Sequence, residues 1–150
     1  MSSQNEIKMR DLEIARKRLN EKSLTLSIVK NAEVIFESVS HGITGFLEAI
    51  EKFGDELDGA SVADRVAGKA IALLCVYAKV SAVYTMTLSK RAKAVFEKHG
   101  VHHELDRLVE SILDISKAGI CPFEKLATEI SDPAEAYERL KALQFSLSLR

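Results

Sequence analysis

Asp64, Lys69, Cys121, Glu124 and Lys125 are the side chains whose types and spacing could support chemistry in this chain. The stretch Ser61-Val62-Ala63-Asp64-Arg65-Val66-Ala67-Gly68-Lys69-Ala70 places charges at the opening of what reads as a helix, followed by an almost wholly apolar run. A charge taken out of water needs a partner or a use. Ser61-x-x-Asp64 has the spacing of a capping box, in which the serine and the acid answer the free amides and the dipole of a helix start. On helical geometry Ser61, Asp64 and Gly68 share one face, with Gly68 leaving room for a ligand. Asp64 then either caps the helix or accepts hydrogen bonds from a polar ligand. Lys69 suits an anion, a buried carboxylate or a path back to water. Cys121 precedes Pro122 at a second helix start, where the dipole favours a thiolate, although a small buried residue would also fit. Glu124 and Lys125 lie in that same first turn. They complete a site with Asp64 if the two helix starts meet at one sheet edge, and Glu124 fits an N3 cap equally well.

The elements that must position these groups follow from periodicity. Ile7, Leu12, Ala15 and Leu19 predict a surface helix near residues 5–21. Leu24, Leu26 and Ile28 alternate, Asn31-Ala32-Glu33 turns the chain, and Val34-Ile35-Phe36 returns it as a paired strand. Helical spacing resumes from Ile43 to Phe53 and ends at Gly54 as a left-handed cap. Gly59-Ala60-Ser61 starts the long apolar helix. Val80 to Leu88 predicts a buried strand, and Ser89 caps a helix that Gly100 ends. A short strand is expected near residues 101–104, Leu105 to Ile115 is ambiguous, and Ser116–Gly119 forms a loop. Pro122 and Asp132-Pro133 open two last helices. Phe145-Ser146-Leu147-Ser148-Leu149 alternates in period two, as an edge strand or a partner-binding tail would. The expected organisation is one domain: an N-terminal helix over 1–21, a core over 22–143 and a tail over 144–150. Strands alternating with helices argue for a three-layer α/β/α sandwich with a mixed sheet.

Composition bounds the function. At 150 residues and 47% hydrophobic, the chain can bury a sizeable core without staples. Its 21 basic and 22 acidic residues give a net charge of −1 and form no long like-charged block, so neither nucleic acid nor a membrane surface is the expected partner. No apolar run reaches a bilayer's thickness, and Met1-Ser2-Ser3-Gln4-Asn5-Glu6 is not a signal peptide, which makes the cytoplasm the expected compartment. Cys75 and Cys121 read as free thiols. His99, His102 and His103 with Glu104 and Asp106 read as a solvated strand end, because a strand points His102 and His103 to opposite faces. No phosphate-binding loop, dinucleotide fingerprint or serine-nucleophile elbow is present.

Three segments carry a resemblance: Gly59 to Ala70, Leu88-Ser89 through Glu97-Lys98-His99-Gly100, and Ile120-Cys121-Pro122-Phe123-Glu124-Lys125-Leu126. With them the chain resembles a family catalogued as domain of unknown function 1893, whose fold is similar to that of cytidine deaminases but lacks the zinc motif. Zinc deaminases place a His or Cys ligand, any residue and a Glu at the first helix start, and two cysteines at the next. Laid on that pattern, Val62-Ala63-Asp64 stands for the first group, and Ser89 and Ala92 stand for the cysteines. Zinc chemistry on a base is therefore not expected, and neither a metal nor a cofactor is assigned. The resemblance implies a homo-oligomer. Three readings remain open: a pocket for a small polar, nucleoside- or nucleotide-like ligand lined by Ser61, Asp64, Lys69, Ser89, Glu124 and Lys125; a zinc-independent enzyme using Asp64 and Cys121; and an assembly module without a ligand.

Overall fold

The computed structural model describes residues 2–112, 119 and 121–149. Its elements are α1 (Ser2–Glu21), β1 (Leu26–Lys30), β2 (Glu33–Ser38), α2 (Thr44–Phe53), a 3₁₀ turn (Gly54–Leu57), β3 (Ser61–Ala67), α3 (Lys69–Tyr77), β4 (Ala82–Ser89), α4 (Lys90–His99), β5 (His102–Val109), α5 (Pro122–Ala127) and α6 (Pro133–Ser148). One five-stranded sheet runs in the order β2-β1-β3-β4-β5. β1 is antiparallel to both of its neighbours, whereas β3, β4 and β5 are parallel. α1 covers one face through Leu12, Ala15 and Leu19, which pack on Val29, Ala63, Ala82 and Tyr84. α2, α3 and α4 cover the other, where Phe46, Ile71, Val95 and Phe96 meet Leu26, Ile28, Val62 and Val83. α6 lies outside α3, so α3 is enclosed on nearly every side. That enclosure is why residues Ala70 to Cys75 are all buried and the helix shows no polar stripe. The architecture is the expected three-layer α/β/α sandwich with a mixed sheet.

The local expectations fared unevenly. Ser61 to Ala67, expected as the first turns of the long helix, is instead the central strand β3, and the helix begins only at Lys69. A strand covered on both faces loses the polar alternation that marks a half-buried one, so Val62-Ala63 and Val66-Ala67 carry no period that separates strand from helix. The capping box of Ser61 and Asp64 therefore does not exist, and the two residues point to opposite faces of the sheet. The period-two ending is also corrected, because Phe145 to Ser148 form the last turn of α6. Asp132 caps that helix by accepting from Glu135 N at 2.9 Å, and no helix breaker follows before its end. Gly54 has a positive φ of 45° but a ψ of −119°, so it turns the chain into the 3₁₀ segment and is not a left-handed cap. β5 extends to Val109, past the short strand expected. Of the loop expected at Ser116–Gly119, residues 116–118 lie outside the described residues. The caps at Ser89 and Gly100 are as expected: Ser89 Oγ accepts from Ala92 N, and Gly100 is left-handed.

The hairpin is held by α1. Asn31 and Ala32 both adopt positive φ, at 53° and 66°, and the fully buried Asp11 carboxylate accepts from both of their amides at 2.8 Å. Removing that acceptor leaves two donors unanswered beside a turn that already strains an alanine. Asp11→Ala is expected to lose about 2–3 kcal/mol of stability in urea denaturation. A loss within the range of ordinary surface substitutions, about 0.5 kcal/mol, would contradict the role.

Candidate functional site

Parallel strands β3 and β4 end side by side, with Ala67 opposite Leu88, and each feeds a helix from its carboxyl end. Ligands of open α/β sheets bind beyond this edge. At the first of the two helix starts, Gly68 is extended at φ −103° and ψ −170°, a conformation open to any residue. Its importance is steric: a Cβ there would lie 2.2 Å from Glu124 Cδ. Glu124, from the first turn of α5, reaches over Gly68 and accepts from Lys69 N at 2.9 Å and Ala70 N at 2.8 Å. Its carboxylate thus answers the free amides of α3 from a different element. Burial raises the Glu124 carboxyl above its usual range, opposed by the two amides and by the charges of Arg91 and Lys69.

At the second helix start, Ser89 caps α4 with its own hydroxyl. A cleft of about 230 Å³ opens between α3 and α4 and is lined by Lys69, Arg91, Lys98 and His99, with Leu73, Ala94 and Val95 as its apolar part and Ser131 at the rim. Arg91 in the first turn of α4 and Lys98 in the last are separated by about 10 Å along the helix axis. Burial pulls the Lys69 ammonium below its ordinary range; Arg91 and Lys98 push the same way and Glu124 opposes them. Arg91 and Lys98 are exposed and Lys69 is half-buried, so the cleft mouth is cationic apart from Glu124 and favours an added negative charge. A larger groove of about 580 Å³ lies between α2 and α6, where Glu48, Glu51 and Glu138 surround Leu47, Tyr137 and Phe145. It is acidic and broad, and it stands away from both helix starts.

The expected site residues separate into three places. Lys69 and Glu124 come together, through the backbone of the first and the carboxylate of the second. Ser61 is buried on the α1 face and donates to Lys8 O at 3.1 Å, which takes it out of any pocket on the other face. Asp64 is on the α3 face but only 8% exposed, and its carboxylate accepts from Val66 N at 3.2 Å. Burial pushes its carboxyl up to about 7. Its charge bears on the thiol of Cys75, which burial holds well above the usual thiol range. Cys121 is the N-cap residue of α5 and makes no side-chain cap bond. Lys125 is exposed. The sequence reading did not single out Arg91 and Lys98. Their only signal was a seven-residue spacing that keeps two cations on one helix face, ending beside His99.

The zinc comparison shifts with the corrected helix start. Val62, Ala63 and Asp64 lie within β3, so the residues at the two helix starts are Gly68-Lys69-Ala70 and Ser89-Lys90-Arg91-Ala92. Zinc takes imidazole, thiolate or carboxylate donors. The groups here are three cations, Lys69, Lys90 and Arg91, that repel a dication, a hydroxyl engaged in capping and a carboxylate engaged by two amides. These residues do not fit the metal. Among the described residues, no group of three or more His, Cys, Asp and Glu is placed to hold one. None of the described helices is long and apolar enough to cross a membrane.

A family model described as "TM1506: Domain of unknown function (DUF1893)" matches residues 14–143. Among solved structures, the crystal structure of a DUF1893 family protein, TM1506 from Thermotoga maritima, is 29% identical, with a TM-score of 0.82 over 89% of each chain. The dCMP deaminase of cyanophage S-TIM5 is 18% identical at a TM-score of 0.46, covering 67% of this chain and 97% of that one. Acinetobacter baumannii RibD is 17% identical at 0.42, covering 85% of this chain and 37% of that one. No curated protein matches the chain.

Proposed function

We propose, starting from a chain that belongs to the DUF1893 family, that the α3–α4 cleft binds a small phosphorylated ligand of nucleotide-like character. The observation that carries this reading is the gathering of Lys69, Arg91, Lys98 and His99 around one cleft with an apolar side. Arg91 offers a planar fork suited to phosphate oxygens, and Lys98 and Lys69 supply point charges. Leu73, Ala94 and Val95 suit the flat or apolar part of such a ligand. The pocket lined by Ser61 and Asp64 gives way to this one, because the corrected strand carries Ser61 to the far face and buries Asp64. Glu124 and Ser89 then act at its edge, fixing the starts of α3 and α4.

A ligand at about 100 times its Kd adds about 2.7 kcal/mol to the native state. For a domain of this size that moves Tm by roughly 5–10 °C. Nucleoside monophosphates are expected to raise Tm in the wild type, the matching nucleosides to leave it nearly unchanged, and Arg91→Gln/Lys98→Gln to cut the shift to about half or less. Nucleosides and their phosphates acting alike would overturn the assignment of the phosphate to these cations.

A further inference from the structure

Lys69 stands where an ammonium is poorly accommodated. It occupies the first turn of α3, the positive end of the helix dipole, where acids are favoured and cations are not. The Arg91 guanidinium and the Lys98 ammonium line the same cleft. Glu124, the carboxylate that opposes them, is committed to the amides of Lys69 and Ala70. Leu73 and Val95, both buried, withhold part of the water that would solvate a charge. The dipole, the apolar wall and the like charges favour the neutral amine, and burial and the like charges hold the ammonium below its ordinary range against the opposing charge of Glu124. A lysine brought to this state by apolar surroundings and a cationic neighbour is a nucleophile.

We propose that Lys69 is a nucleophilic amine that captures the carbonyl carbon of a phosphorylated aldehyde or ketone as a reversible imine, while Arg91 and Lys98 hold the phosphate. The inference rests on the anion-site reading of the cleft and adds a reacting atom to it. Lys69 Nζ forms a bond to the carbonyl carbon, and the carbonyl oxygen becomes a hydroxyl by taking a proton from the nitrogen. The resulting carbinolamine loses that hydroxyl together with the remaining nitrogen-bound hydrogen as water, leaving C=N. No oxidant or reductant is consumed, and water reverses the step. Phosphate binding between Arg91 and Lys98 sets the carbonyl of the same molecule within the cleft that Lys69 also lines.

Pyridoxal 5′-phosphate is a suitable probe, applied to the full chain at substoichiometric amounts, reduced with borohydride to fix the imine as a secondary amine, and located by peptide mapping. The adduct is expected to concentrate on Lys69, several-fold above the exposed Lys125. It should fall when pyridoxal replaces its phosphate or when inorganic phosphate competes, and it should vanish from this position in Lys69→Arg. Label spread evenly over surface lysines, with the phosphate-dependent Tm shift intact, would overturn the imine and leave the cleft standing. Label on Lys69 that neither free phosphate nor Arg91→Gln reduces would overturn the phosphate's place in it. An absent Tm shift, with label spread evenly, would remove both.

Discussion

Gly68→Ala is expected to cost about 3 kcal/mol in the wild-type background and about 1 kcal/mol or less in a Glu124→Ala background. The backbone at Gly68 tolerates any side chain, so the first loss cannot come from strain at that residue. It comes from the Cβ, which would fall 2.2 Å from Glu124 Cδ and drive the carboxylate off Lys69 N and Ala70 N. Those amides lie beneath α5, where losing a partner costs about 1–3 kcal/mol per group. With Glu124 already truncated there is no carboxylate to displace, and what remains is the preference of a helix N-cap for glycine over alanine, about 0.5–1 kcal/mol. Urea denaturation of the four species closes the cycle. Additive losses would mean that the contact is not the reason for the glycine.

This pair also shows what the sequence could and could not carry. Ser89 and Asp132 were legible because each is a side chain answering a backbone amide three residues on, and Gly100 because a left-handed helix end favours glycine. Lys69 and Glu124 were each conspicuous, yet their union joins a helix start to a carboxylate 55 residues further on, and no local pattern encodes it. Gly68 was read as room for a ligand, whereas the room is taken by the protein's own Glu124. The α/β/α class followed from alternation of segment types, which survives errors of boundary. The boundary that mattered most, between β3 and α3, failed because a strand buried on both faces and a helix buried all round look alike in composition. Arg91 and Lys98 passed unnoticed because charged residues on a helix are ordinary until a second helix brings a lysine opposite them.

Asp64→Asn is expected to stabilise the protein on the order of 4 kcal/mol at pH 8 and to have little effect near pH 4. Burial lifts the Asp64 carboxyl from 3.8 to about 7 in the folded chain, with the amides of Val66 and Arg65 holding it back only in part. The folded state therefore keeps its proton between those two values while the unfolded state gives it up. Where the native state binds more protons, stability falls as pH rises. The loss from this group begins above pH 4, is complete above pH 7 and is absent below the unfolded value. Asparagine resembles the protonated acid in shape and stays neutral, so it escapes the loss. The difference between wild type and variant, taken from denaturant midpoints at several pH values, cancels the titration of other groups. Parallel curves from pH 4 to 8 would show that Asp64 is solvated in the folded protein.

Neither substitution removes a cation of the α3–α4 cleft, and the ligand reading rests on those cations. Calorimetric titration of a nucleoside monophosphate into the wild type and into Arg91→Gln/Lys98→Gln tests it most directly. The account predicts one site per chain in the wild type and affinity weaker by about tenfold or more in the variant, since each tenfold corresponds to about 1.4 kcal/mol of lost charge pairing. Equal heats and equal affinity in the two proteins would contradict it.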